Sequence, residues 1–321
     1  MVRMKNLIAG ILVLLAFFAC TGRGGEESAA ALRPFPYQQV PPALIDPAGR
    51  SEWMAEHYWD AYFSGSGLCD SSALLGVLSD DLAQAMANFC AVLDACPLSV
   101  TDKAVGKMFT KMEAKHASDT TLNIFVRFSE LATLYFYDPN SPLRDEDYYL
   151  PYVKRLCESP WTPQDMLGAY RFEAQTCSLN RRGQKAPDFR FKTREGKILH
   201  LYGTRADYTI LFFSNPGCGA CGEIVEQLKS LPYLEGDIAA GKLAVLNIYI
   251  DEDLAAWRAH TGDYPSSWQS GYDPSGVIRS NRLYFVRAIP SLYLLDSEKR
   301  IVMKDAPTEK LTTYLNNLKN N

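Results

Sequence analysis

Two cysteines separated by two residues form the clearest chemical pattern in this sequence. Cys218 and Cys221 follow a β-forming run at 208–213 and a turn segment at 215–217, and an amphipathic helical pattern follows them. We predict a helix that begins close to Cys218, where unpaired N–H groups and the positive helix end favour a thiolate. One helical turn would bring both sulfur atoms within bonding reach. The pattern predicts thiol–disulfide exchange, with Cys218 as the attacking thiol and Cys221 as the resolving thiol.

The same spacing also occurs in zinc sites and in structural disulfides. A structural zinc site needs four ligands, and the sequence has neither a second CxxC nor a spaced pair of histidines to complete one. We therefore expect no metal and no cofactor. A permanent structural disulfide stays open as the alternative at this pair.

A proline begins another apolar strand further along the chain. Pro290 directly precedes the run 291–295, at a position where a strand can do without one N–H group. Most X–Pro bonds are trans, so this position alone does not predict a cis bond.

The order of these motifs resembles the thioredoxin superfamily. The CxxC pair, a βα unit and Ile-Pro-Ser-Leu-Tyr-Leu-Leu-Asp at 289–296 follow one another as they do there, and Ala-Pro-Asp-Phe at 186–189 is similar to the entry of the TlpA/ResA and AhpC/TSA branch. The resemblance implies that Pro290 is a cis-proline facing the cysteines and that Ile289 offers its backbone to a substrate. It also implies an extracytoplasmic reductase of disulfide-containing envelope proteins, with a membrane electron carrier as its candidate donor.

Several positions depart from the thioredoxin pattern. Gly217 and Ala220 replace the usual tryptophan and proline, which leaves the reduction potential open. Phe212 replaces the buried acid of thioredoxins, so Glu223 is a candidate proton acceptor, with a solvated glutamate in the first helical turn as the alternative. The threonine and proline that peroxiredoxins need before their reactive cysteine are absent, which argues against peroxidase activity.

The N-terminal sequence predicts export. Arg3 and Lys5 precede an apolar run at 7–19, which is short for a membrane span and typical of a signal peptide. Phe-Phe-Ala-Cys at 17–20 resembles a bacterial lipobox, which implies lipidation of Cys20, a membrane tether and a place in a Gram-negative cell envelope. Ordinary signal-peptidase cleavage, which would leave a soluble periplasmic protein, and an uncleaved anchor are the alternatives.

A helical pattern occupies residues 51–180. Apolar residues recur every three or four positions in the runs 82–93 and 120–137, as one buried helix face requires. We predict five or six packed helices. The segment that begins at Tyr137 and Asn-Arg-Arg-Gly at 180–183 resemble an uncharacterised helical domain that precedes thioredoxin folds in Gram-negative envelope lipoproteins.

Strands and helices alternate beyond residue 180. We predict strands at 198–202, 208–213, 244–250, 291–295 and 300–304, and helices at 221–231, 254–260 and 308–318. The predicted fold class is α + α/β, an N-terminal all-helical domain followed by a C-terminal thioredoxin-like mixed β-sheet with helices on both faces. The predicted divisions are 1–20, signal peptide and lipobox; 21–50, tether and extended lead-in; 51–180, helical domain; and 181–321, thioredoxin-like domain.

Composition and the other cysteines set wider limits. The 321 residues carry a net charge of −4 and no Lys/Arg-rich run, so we expect no nucleic-acid partner. Five further cysteines have pairings that sequence does not define: Cys69, Cys90, Cys96, Cys157 and Cys177. Cys90 and Cys96 could bridge across a helix end, or all five could be free thiols. A non-catalytic binding lipoprotein on a thioredoxin scaffold, with a permanent disulfide, is the alternative function.

Overall fold

The computed structural model describes residues 31–320. Its first half is helical and contains, within those residues, α1 (Pro47–His57), α2 (Asp60–Ser64), α3 (Ser79–Asp94), α4 (Leu98–Ser118), α5 (Ile124–Phe136), α6 (Glu146–Glu158) and α7 (Leu167–Cys177). A short antiparallel hairpin, β1 (Ala73–Leu74) with β2 (Val77–Leu78), lies between α2 and α3. The predicted signal peptide and Cys20 lie outside the described residues.

Aromatic side chains fill much of the core of the helical half. Trp59 packs edge-on against Phe128, with ring centroids 5.0 Å apart, and Phe63 lies 5.0 Å from the same ring. Such aromatic pairs stabilise a fold by more than the burial of their surface area alone would give. The helices number more than predicted because the aromatic segment around residue 59 turns and divides into α1 and α2.

The second half is a seven-stranded mixed sheet with helices. Its strands are β3 (Arg190–Thr193), β4 (Ile198–His200), β5 (Tyr208–Phe213), β6 (Leu243–Tyr249), β7 (Gln269–Tyr272), β8 (Ser291–Asp296) and β9 (Ile301–Met303). Its helices are α8 (Gly219–Lys229), α9 (Leu234–Ala239), α10 (Leu254–Ala259), α11 (Val277–Ser280) and α12 (Thr308–Asn320). The strand order is β4-β3-β7-β6-β5-β8-β9, with β5 parallel to β6 and antiparallel to β8.

Both faces of this sheet are covered, which confirms the predicted fold class. Successive side chains of a strand point to opposite faces, and in β5 Leu211 and Phe213 enter one apolar cluster while Ile210 and Phe212 enter the other. A strand buried on both faces reads as an unbroken apolar run, which is why β5 was predicted with its observed bounds. The hairpin β1–β2 was missed.

Charged side chains join the two halves. The core of the helical half reaches Cys177, and the core of the sheet half begins at Ala186. Between them, Arg181 and Arg182 bind the carboxylate of Asp147 in α6, with N–O distances of 2.8 and 2.9 Å. The polar segment after residue 180 is therefore fixed to the helical half by ion pairs. Within residues 31–320 we find no helix with both the length and the apolarity of a membrane span.

The remaining described cysteines are free thiols. Cys69, Cys90, Cys96, Cys157 and Cys177 form no disulfide in the described chain. The bridge between Cys90 and Cys96 that the sequence allowed does not form: both are free thiols, and the Cys96 thiol donates instead to the carbonyl of Val92 at 3.3 Å. Burial raises the pKa of Cys90 and of Cys177 well above the ordinary value, which makes both poor nucleophiles.

Candidate redox site

Cys218 is the N-cap residue of α8. Its backbone is extended, with φ −75° and ψ 112°, and its Sγ accepts a hydrogen bond from the backbone N–H of Cys221 at 3.2 Å. Gly217 before it has φ +69°, a conformation that glycine adopts at little cost, and the chain turns there from the β5 loop into the helix. A donor N–H and the positive end of a helix both favour the charged form of this sulfur.

The two sulfur atoms of the motif differ in exposure. Cys218 and Cys221 form a disulfide with Cα atoms 5.2 Å apart. Cys218 is half-buried, whereas Cys221 is 2% exposed and lies in an apolar cluster with Phe212 and Ile224. An incoming sulfur can therefore approach Cys218 more readily than Cys221.

Hydrogen bonds hold the loop between β5 and α8. The hydroxyl of buried Ser214 lies 2.8 Å from that of Tyr264, and the side-chain amide of Asn247 in β6 donates to it at 2.5 Å. The next residue, Asn215, donates to the carboxylate of Asp251 at 2.5 Å. The sequence does not predict these partners, because nothing in their spacing shows that they meet at the cysteine loop.

The Ile289–Pro290 peptide bond is cis, as the resemblance implied. Pro290 directly precedes β8, whose first residue, Ser291, pairs with Phe213 at the end of β5. This register places the proline beside the loop that leads to the cysteines. Ile289 packs against the same apolar cluster as Cys218.

A cleft of about 500 Å³ begins beside the cysteine motif. One side is formed by α8 and the cis-proline loop, through Ala220, Ile224 and Pro290. The segment 305–309, which leads into α12, and residues of the helical half complete it. Its volume falls in the range of roughly 300–1,000 Å³ that is usual for ligand clefts.

The side contributed by the helical half is the connection between α5 and α6. We call residues 139–144 the helical wall. Buried Ser141 holds it, since its hydroxyl donates to the carbonyl of Tyr135 at 2.9 Å and accepts from the N–H of Leu143 at 3.2 Å. Pro139 and Pro142 on either side of it are exposed. The wall is therefore a preformed surface, and no pattern in the sequence predicts it.

Ion pairs connect the helical wall to the chain that follows β9. Arg144 Nε lies 3.5 Å from the carboxylate of Asp305. Lys304 directly precedes Asp305. Its Nζ lies 2.5 Å from the buried carboxylate of Glu146 and donates a hydrogen bond to the carbonyl of Leu179 at 2.5 Å. Burial raises the pKa of Glu146 above its ordinary value, although the Lys304 ammonium acts in the opposite direction.

The cis-proline loop also touches the helical half. The guanidinium of Arg287, three residues before Pro290, lies 3.9 Å from the ring centroid of Tyr137. That ring stacks in turn on Tyr149, with centroids 4.3 Å apart. Two of the segments that border the cleft thus rest on the helical half.

Comparison with known proteins shows the family. A thioredoxin-like protein from Bacteroides caccae, known from a crystal structure, is 34% identical, and the match covers 89% of this chain and 99% of that chain with a TM-score of 0.71. The chain belongs to the thioredoxin-like proteins. A family described as a domain of unknown function, DUF5106, matches residues 20–173 and so precedes the thioredoxin-like region.

Shorter solved structures match about two fifths of this thioredoxin-like protein. The C-terminal domain of an uncharacterized protein from Bacteroides fragilis is 47% identical, covering 43% of this chain and 98% of that one, with a TM-score of 0.41. A thiol-disulfide oxidoreductase from Bacteroides fragilis is 27% identical, covering 42% and 99%, with a TM-score of 0.36. Curated proteins include no match.

The structure brings the predicted site residues of the thioredoxin-like region together. Cys218, Cys221, Ile289 and Pro290 lie at one end of β5 and β8. Glu223 is exposed on α8, lines the cleft and has no ion-pair partner among the described residues.

Proposed function

We propose that this thioredoxin-like protein is an extracytoplasmic thiol–disulfide oxidoreductase that reduces disulfides of envelope proteins. The observation that carries the proposal is the placement of Cys218. Its half-buried sulfur caps α8, accepts the N–H of Cys221 and is bonded to a sulfur that is itself buried. A disulfide that only staples the chain needs neither helix capping nor this unequal exposure.

The reaction transfers two electrons to the substrate. The Cys218 thiolate attacks one sulfur of a substrate disulfide, so a mixed disulfide forms and one substrate thiolate leaves. Cys221 then loses its proton and attacks the Cys218 sulfur, which releases the second substrate thiolate and leaves the Cys218–Cys221 disulfide. The two protons of the enzyme thiols end on the two substrate thiols. An external reductant must then supply two electrons and two protons to reduce the Cys218–Cys221 disulfide again.

Serine variants test these roles. Cys218→Ser should lower insulin disulfide reduction to the uncatalysed rate, because no attacking thiolate remains. Cys221→Ser should accumulate mixed disulfides that a non-reducing gel detects and dithiothreitol removes. Cys157→Ser, which removes a free thiol in the helical half, is the control. A Cys218→Ser protein that still reduces insulin would refute the proposal.

The reduction potential tests the direction of transfer. Equilibration with glutathione gives the reduction potential of the cysteine pair. A reductase should have a value close to that of thioredoxin, about −270 mV, whereas an oxidase should have a value closer to that of DsbA, about −120 mV. The replacement of two usual motif residues by Gly217 and Ala220 makes this measurement necessary. A value near that of DsbA would contradict a reductase and leave an oxidase.

We further propose that the protein is anchored in the cell envelope by a lipid on Cys20. The support is the basic start, the apolar run at 7–19 and the following cysteine. Labelled palmitate should enter the wild-type chain and should not enter a Cys20→Ala chain. An equally labelled variant would contradict the anchor, and an unlabelled wild type recovered in the periplasm would show ordinary cleavage instead.

A further inference from the structure

We propose that the cleft beside the cysteines binds an extended segment of the substrate polypeptide and that it selects segments with a basic side chain next to the target cysteine. The inference rests on the proposed function and adds the chemistry of the substrate. It assigns to the helical half a part in substrate binding, through the helical wall.

The position and volume of the cleft favour an extended chain. The cleft begins at Ala220, inside the cysteine motif, and runs past Ile289 and Pro290. A substrate cysteine that reaches Cys218 therefore has its neighbouring residues in the cleft. The helical wall and α8 both line the cleft, so a segment can lie between them. A small disulfide would leave most of the about 500 Å³ empty.

The charges in the cleft favour a basic segment. Four ionisable side chains line it: Arg144, Glu223, Asp305 and Glu309. Arg144 and Asp305 pair with each other at 3.5 Å and so largely cancel. Glu223 on α8 and Glu309 on α12 are both exposed, and neither has an ion-pair partner in the described chain. The nearby ammonium of Lys310 is taken by Asp94 and Asp145. Among the side chains that line the cleft, two negative charges thus remain for the occupant.

The helical wall is held in place before a substrate binds. Its backbone is tied at Ser141, and Arg144 is held by Asp305 of the facing segment. The wall therefore needs little reorganisation when a substrate binds, which favours affinity. The exposed side chain of Asn140 makes no hydrogen bond within the described residues, and it lines the cleft.

A pair of matched peptides tests the charge preference. Each is short and unfolded and carries one cysteine in a mixed disulfide with a small neutral thiol, flanked either by lysines or by glutamates. Rates with the reduced full-length protein are divided by the rates with dithiothreitol, which removes the intrinsic reactivity of each peptide. We expect the lysine peptide to react about three- to tenfold faster at low salt. We call the normalised rate of the lysine peptide divided by that of the glutamate peptide the ratio. It should approach one at about 0.5 M salt, because salt screens the attraction between exposed charges.

Variants locate this preference in the cleft. Glu223→Gln combined with Glu309→Gln should bring the ratio towards one. Glu130→Gln removes an exposed, unpaired carboxylate on α5 outside the cleft and should keep the wild-type ratio. Asn140→Trp should slow both peptides more than it slows a small aromatic disulfide, because the added ring narrows the cleft.

The outcomes separate this inference from the proposed function. A wild type that reduces the small aromatic disulfide but treats both peptides alike would overturn the charge preference and keep the oxidoreductase. A ratio unchanged in the double variant would place the preference elsewhere. An Asn140→Trp variant that reacts with both peptides at the wild-type rate would show that the helical wall takes no part in substrate binding. A wild type inactive on every disulfide would end both proposals.

Discussion

The two sides of the cleft are built in different ways. On one side, the turn that carries the cysteines comes from neighbouring residues, since β5, its loop and α8 follow directly along the chain, and the cis-proline loop joins it from a distant part of the sequence. The side with the helical wall is held by partners far away in sequence, such as Arg144 with Asp305 and Glu146 with Lys304. The difference separates two requirements. Sulfur chemistry needs a local turn with a defined helix end, whereas a wall opposite it requires the two halves to dock.

The largest effect should come from breaking the buried ion pair that docks the halves. Glu146→Leu leaves the ammonium of Lys304 buried without its carboxylate, and we expect the free energy of unfolding to fall by about 3–5 kcal/mol. Urea denaturation measures it. Glu158→Leu, at the exposed end of the same helix, should change it by only about 0.5 kcal/mol. Equal effects of both variants would show that the pair does not stabilise the docking.

Acid should weaken the ion pairs that hold the two halves together. The guanidinium groups of Arg181 and Arg182 outweigh burial and lower the pKa of Asp147 below its ordinary value of 3.8. A depressed carboxyl pKa stabilises the fold above the ordinary value, and this contribution is lost as pH falls through the lower, folded-state value.

The free energy of unfolding should therefore decrease as pH falls from about 5 to below the ordinary pKa of an aspartate. Asp147→Asn should be less stable than wild type at neutral pH and should show a shallower decrease in acid. Unfolding by urea at a series of pH values gives both slopes. Parallel slopes would show that another carboxylate controls acid stability.

A smaller effect should come from a hydrogen bond that holds the loop between β5 and α8. Tyr264→Phe removes the hydroxyl that meets Ser214, which should lower the free energy of unfolding by about 1 kcal/mol and slow thiol exchange several-fold. Tyr202→Phe also removes one hydrogen bond, to the carbonyl of Ala186, beyond the edge strand β4. The Tyr202→Phe protein should lose as much free energy of unfolding as the Tyr264→Phe protein, but its rate of thiol exchange should stay at the wild-type value. A slower Tyr202→Phe protein would mean that general destabilisation explains both.

The smallest effect should come from the contact between the cis-proline loop and the helical half. A double-mutant cycle with Arg287→Gln and Tyr137→Leu should give a coupling of about 0.5–1 kcal/mol, since the guanidinium lies over the ring. Urea denaturation of the four proteins measures it. Strictly additive effects would show that the loop does not depend on this contact.

The same division explains what the sequence could predict. The cysteine motif, the apolar run of β5 and the helix after it are local patterns, so the centre of the sheet was predicted closely. The strands β3 and β7 were missed, because four residues such as Gln-Ser-Gly-Tyr at 269–272 become a strand only through the partners that flank them. The helical wall was missed for the same reason, since its position opposite α8 follows from contacts between residues more than 150 positions apart.

Ser141 has a practical consequence for protein engineering. Its hydroxyl fastens the connection between α5 and α6 to Tyr135 within the helical half, so neighbouring Pro139, Asn140 and Pro142 project without supporting either core. A combinatorial library confined to these three positions would vary the rim of the cleft and leave the turn that carries the cysteines unaltered. The molecule thus offers a surface loop that can be varied on a thioredoxin-like scaffold.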